Sequence, residues 1–117
     1  MQRKGRYNLE IMITDPAAAK IEEKTKDDKG FLKLKYDIEG CGCAVDGVFV
    51  LWFVPELEDD DMAIETNAQT IYVEKAKTVF FDEKMKLDYS ETTNWFKLSS
   101  AQQILNGQMS LITKKAD

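Results

Sequence analysis

The sequence predicts one mostly-β domain with a single helix near its start, and three observations carry that reading. Residues 31–38 alternate apolar and charged with a period of two; Val48–Val54 is an unbroken β-branched and aromatic run; and Thr14-Asp15-Pro16 has the chemistry of a helix start. The chain has 117 residues, enough for one domain and too few for a second core of independent stability. At 44% apolar and 32% charged it belongs with folded proteins rather than disordered ones.

Taken in order, Glu10–Ile13 is a short β-type run. At residues 14–16, Thr14 or Asp15 can accept from the free N–H groups of a first helical turn, and Pro16 fits where a missing N–H costs nothing. Ala17, Ala18 and Ile21, with Thr25, make a narrow apolar face, and Gly30 is the expected stop. Next, Leu32, Leu34, Tyr36 and Ile38 point one way, and Lys33, Lys35 and Asp37 the other, as in a half-buried antiparallel strand. Val48–Val54 reads as a strand buried on both faces and pairing back on it. That pairing puts Gly40-Cys41-Gly42-Cys43 at the tip of a hairpin, with Asp46-Gly47 as a turn signal. Beyond Pro55 lies an acidic loop of Glu56, Glu58, Asp59, Asp60 and Asp61. Strands are expected at residues 62–65, 71–73, 79–81, 85–89, 95–98 and 109–112, with one helical turn at 74–78.

Composition removes several chemistries. The chain contains no His, so it holds no Ser-His-Asp triad, no Cys-His dyad and no Cys₂His₂ zinc finger. Sixteen basic against 21 acidic residues, a net charge of -5, argue against a nucleic-acid partner, whose phosphates need surplus Lys and Arg. The longest apolar run has seven residues, far short of a membrane span, and the basic start at Arg3, Lys4 and Arg6 lacks a following signal-peptide core. The expectation is a cytoplasmic protein with reduced thiols and no membrane partner. The acidic loop lacks the alternating acids and central Gly of a calcium loop and reads as solvated. Asp82 and Glu83 read as a turn. Trp52, Phe53, Trp95 and Phe96 read as core, unless one of each pair faces outward.

Chemistry then falls to Cys41 and Cys43. Iron–sulfur clusters and zinc are usually held by four thiolates. Two cysteines at i and i+2 in extended chain face the same side, and Gly40 and Gly42 offer backbone N–H groups to a bound sulfide. One chain supplies two ligands, so a closed site needs a homodimer or an outside thiol. Two other readings stand beside this one. In the first, Cys-Gly-Cys is a strained, easily reduced dithiol whose thiolate leans on Lys33 or Lys35. In the second, the cysteines only fill a tight turn.

The order of these features resembles the HesB-like, or A-type iron–sulfur carrier, family. A strand leads into Thr14-Asp15-Pro16-Ala17-Ala18; another ends at Gly40-Cys41-Gly42-Cys43; and then follow Gly47, the apolar strand, Ile71-Tyr72-Val73, Leu87-Asp88-Tyr89 and Trp95-Phe96. The resemblance covers residues 9–112 and implies a twisted β pseudo-barrel, a single domain over 9–113 with flexible tails at 1–8 and 114–117. It also implies a non-enzymatic role with iron–sulfur assembly or acceptor proteins as partners, and an iron–sulfur cluster or iron as the bound group. The family's carriers use a cysteine that matches Cys41 and a C-terminal Cys-x-Cys pair. This chain has no such pair: residues 99–106 run Ser-Ser-Ala-Gln-Gln-Ile-Leu-Asn, and Cys43 is additional. The sequence reading is an accessory protein of iron–sulfur or iron metabolism with Cys41 and Cys43 as its ligands. Its alternative is a non-catalytic HesB-like module that has lost cluster binding.

Overall fold

A computed structural model describes residues 9–26, 29–37 and 48–114. The chain runs β1 (Glu10–Ile13), α1 (Asp15–Thr25), β2 (Phe31–Asp37), β3 (Val48–Val54), β4 (Asp61–Ile64), β5 (Ile71–Glu74), a 3₁₀ helix (Lys75–Phe80), β6 (Lys84–Ser90), β7 (Trp95–Ser100), β8 (Ile104–Met109) and β9 (Leu111–Thr113). The strands form two sheets, ordered β1-β6-β7-β8 and β4-β5-β2-β3-β9. Their inward side chains share one core: Ile11, Ile13, Leu87, Phe96 and Leu98 from the first sheet, and Leu34, Phe49, Leu51, Ile71 and Val73 from the second.

Two connections close the sheets into the expected pseudo-barrel. On one side, Met109 belongs to the four-stranded sheet and Leu111 to the five-stranded one, so the chain crosses between them at Ser110. On the other side, Asn67, beyond the end of β4, clasps β1: its Oδ1 accepts from Ile13 N at 2.7 Å and its Nδ2 donates to Ile13 O at 2.8 Å. The amide thus acts as a one-residue strand on an edge that would otherwise expose unpaired backbone groups.

The helix forms as its start signal predicts. Thr14 is the N-cap, its Oγ1 accepting from Ala17 N at 3.3 Å, with Pro16 in the first turn. Ala17 and Ile21 are fully buried, and the helix packs on β6. Gly30, expected to stop the helix, has another role, for the helix ends at Thr25. Gly30 precedes β2 where the chain passes against the end of β3, and an added Cβ would overlap the carbonyl oxygen of Val54 and sit 3.1 Å from the Phe53 ring.

Further expectations need correction. Val79 and Phe80 lie in the 3₁₀ helix rather than a strand. The final strand is two strands, β8 and β9, one in each sheet. β3 is buried on one face only: Phe49, Leu51 and Phe53 point inward while Val50, Trp52 and Val54 are half-buried and Val48 is exposed. One aromatic of each pair does face outward, Trp52 and Trp95, while Phe53 and Phe96 are core.

Candidate cluster-binding site

The β2–β3 hairpin predicted from the alternation is present. Its antiparallel register runs from Phe31↔Val54 through Tyr36↔Phe49 to a last pair, Asp37↔Val48. Residues 38–47 connect these ends, and Gly40, Cys41, Gly42 and Cys43 therefore lie outside the described residues. The structure describes the stem that carries them.

That stem ends in an aromatic cluster. The Tyr36 ring meets Phe49 edge-on at 4.9 Å and stacks on Phe80 at 4.3 Å, while Phe81 meets Phe49 edge-on at 5.1 Å. Such contacts are directional and fix ring orientation as well as burying area. From the other sheet, Asn106 on β8 donates its Nδ2 to Phe49 O at 2.7 Å, and its Oδ1 accepts from Gln108 N at 2.9 Å. The C-terminal segment thus reaches the hairpin stem one residue from its last described pair. The segment that crosses there, residues 104–109, contains neither cysteine nor acid; its one sulfur is Met109, which is buried. Among the described residues no group of three or more Cys, Asp or Glu side chains is placed to hold a metal.

The outer side of β2 is not the solvated face that its charges suggest. Lys33 is 4% exposed, and its Nζ lies 3.0 Å from Asp61 Oδ1 and 3.5 Å from Glu74 Oε2. Lys35 Nζ lies 3.0 Å from the same Glu74 oxygen, and Lys77 Nζ 3.7 Å from Glu74 Oε1. Burial pulls the Lys33 ammonium down, but the hydrogen bond to Asp61 and the charges of Asp61 and Glu74 outweigh it and hold it above the ordinary lysine value. Burial likewise pushes Glu74 up, and the hydrogen bond from Lys35 with the charges of Lys35, Lys33 and Lys77 brings it below its ordinary value. Both lysines that a reactive dithiol would lean on are engaged by carboxylates. The acidic loop is corrected in the same stroke: Asp61 begins β4 with its side chain buried, and Asp60 Oδ2 accepts from Ala76 N at 3.0 Å.

A sequence model for iron–sulphur cluster biosynthesis proteins matches residues 9–113. The chain belongs to that family. Within it, the chain is a HesB-like, A-type member, as the order of its motifs implies. It is 36% identical over 107 residues to the uncharacterized protein YqkB of Bacillus subtilis (strain 168), spanning 91% of this chain and all of that one. Its fold is similar to that of a protein assigned to Fe-S biosynthesis from Lactobacillus salivarius, with a TM-score of 0.72 at 22% identity over 90% of this chain and 98% of that one. It is also similar to Escherichia coli SufA, described as involved in biosynthesis of iron–sulfur clusters, with a TM-score of 0.58 at 19% identity over 85% and 97% of the two chains. The structure of IscA with a [2Fe-2S] cluster gives a TM-score of 0.57 at 17% identity over 86% and 98%. Among the described residues no helix is long and apolar enough to cross a membrane.

Proposed function

We propose that this family member is a non-enzymatic accessory of iron–sulfur assembly that holds a cluster, or iron, through Cys41 and Cys43, and hands it on to an acceptor protein. The family match over residues 9–113 carries the reading, because it joins the Gly-Cys hairpin to a fold whose relatives include a protein seen with a [2Fe-2S] cluster. The donor set fits in kind: thiolates are the ligands such clusters take. It is short in number, since the chain has two cysteines and no histidine. Two chains facing one another supply four, and the reading takes this shared site rather than one completed by an outside thiol. Thiolate binding and release is ligand exchange at the cargo, with no bond made or broken in a substrate, which is why no catalytic residue is assigned.

Two observations bear against the dithiol reading. Lys33 and Lys35 are ion-paired to Asp61 and Glu74, and no imidazole exists to lower a thiol pKa. The test is anaerobic reconstitution with iron and sulfide on wild type and on Cys41→Ser/Cys43→Ser. The expected result is a visible sulfur-to-iron absorption band in the wild type alone. Equal absence of colour in two equally stable proteins would remove the cysteines as ligands and favour a module that acts by protein contacts only.

A further inference from the structure

Strand β1 lies at the edge of its sheet, and its backbone groups divide by parity. In the parallel register with β6, Glu10 N donates to Glu83 O at 2.8 Å and Thr14 N to Leu87 O at 3.0 Å. The backbone groups of Glu10 and Met12 therefore turn toward β6, and those of Ile11 and Ile13 turn away from it. Asn67 fills both positions on Ile13. Ile11 lies two residues earlier, about 7 Å along the strand. Its N–H and C=O have no hydrogen-bond partner among the described residues. The residue is only 4% exposed, and a groove of about 330 Å³ runs in beside it from solvent. Glu10, Met12, Glu65, Asn67 and Lys84 stand along that groove.

We infer that this edge takes up an extended, basic peptide segment of a partner protein as an added strand, bonded through the Ile11 N–H and C=O. A shielded backbone donor and acceptor without partners cost free energy, which the N–H and C=O of an incoming strand recover. The clasp singles out β1 from the other edge strands, β4, β8 and β9: Asn67 already makes on Ile13 the two bonds that a neighbouring strand would make on Ile11. It also sets where the added strand stops, because the Asn67 amide occupies the next position along β1. Charge selects the kind of segment. Glu10 and Glu65 are exposed on the groove, and neither is in an ion pair among the described residues. Against them stands one cation, Lys84, directly opposite Glu10 in the β1–β6 register. With a net charge of -5 on the whole chain, a basic segment is drawn to this edge and an acidic one repelled. Met12, 55% exposed, offers a thioether contact to an apolar side chain of the added strand. Strand addition here needs neither Cys41 nor Cys43 and stands apart from the cluster.

The test is residue-resolved amide hydrogen exchange, followed by NMR, on the full chain alone and with each of two short acetylated peptides. One peptide alternates valine with lysine, the other valine with glutamate. In the free chain the Ile11 amide is expected to exchange with solvent, while those of Met12 and Ile13, bonded to β6 and to Asn67, are protected. The basic peptide is expected to slow Ile11 exchange at least about tenfold and to shift the signals of residues 10–13 and 65–67, and the acidic peptide to bind at least about tenfold more weakly. Glu65→Lys, at an exposed position, is expected to weaken the basic peptide about fivefold with an unchanged circular dichroism spectrum. An Ile11 amide already protected in the free chain, or protected only as the chain is concentrated, places residues 1–8 or a second copy on the edge and overturns the proposal. Peptide binding that leaves Ile11 exchange unchanged, or no binding by either peptide, overturns it as well. Equal protection of Ile11 by both peptides upholds the added strand and overturns its basic character.

Discussion

Thr14 serves two elements with one hydroxyl. Its Oγ1 accepts from Ala17 N at the start of α1 and donates to Asp88 Oδ1 at 2.7 Å on β6, so it ties the helix to the sheet on which the helix packs. Removing it by Thr14→Ala is expected to cost about 1–2 kcal/mol in urea unfolding, at the upper end for a cap because Asp88 also loses a donor, while Thr14→Ser restores most of it. Asp88 is held below its ordinary value of 3.8, first by Thr14 and, against the opposing effect of burial, by the Tyr89 N–H and the charges of Lys86 and Lys97. Glu74 is likewise below its ordinary 4.5. Both carboxylates have folded pKa values below their unfolded ones, so their stabilisation is complete above pH 4.5 and is lost as pH falls through the folded values. The unfolding midpoint is therefore expected to drop on acidification below pH 4.5, and Asp88→Asn to flatten part of that drop. Lys33 contributes in the opposite sense: its folded value lies above 10.5, so its share persists to alkaline pH and is lost only as pH rises beyond that. Lys33→Met leaves Asp61 buried without its cation and is expected to cost roughly 3 kcal/mol in the same unfolding measurement. The cap was legible in the sequence because its partners are three residues away. The Lys33–Asp61 pair was not: alternation says which side of a strand a residue is on, but not that another strand's carboxylate closes over it.

At the scale of elements, local pattern served best where one strand answers its immediate neighbour. β1, the pairing of β2 with β3 and β6 fall where alternation and turn residues put them. It failed where long-range contacts decide. Val79-Phe80-Phe81 has strand composition, yet the Lys75 N to Asp60 O bond and the Ala76 N to Asp60 Oδ2 bond hold the preceding turn as a 3₁₀ helix, and the Phe81 N–H closes it on Thr78 O at 3.0 Å. Strand β8 begins five residues earlier than the apolar run at 109–112 suggests, because its pairing with β7 accommodates the polar Asn106 and Gln108 through a register shift. Gly30 gives a sharp test of an element boundary. A helix stop would tolerate Ala at modest cost, whereas the contact with Val54 O requires the strand ends to part. Gly30→Ala is expected to lower stability by about 1–3 kcal/mol, read as a fall in the thermal midpoint with α1 helicity unchanged by circular dichroism.

For the whole molecule, the described residues form one closed β fold whose two sheets are joined at Ser110 and at the Asn67 clasp. That closure brings strand β8 to the hairpin stem through Asn106. Family membership was legible from the order of motifs along the chain. The crossing of β8 beside the stem was not, since no periodicity in a single sequence shows which strands meet across a barrel. The thiol pair was legible as residues only, because the chemistry of Cys41 and Cys43 depends on what stands opposite them, and a second copy is the one source of matching thiolates within the protein itself. The proposed cluster site is shared by two chains. Iron per chain and molecular mass, measured together on the anaerobically reconstituted protein, test this. All the coloured, iron-bearing material is expected to travel as a dimer with one cluster for two chains. Iron bound by a monomer, or a dimer that takes up none, would rule the shared site out.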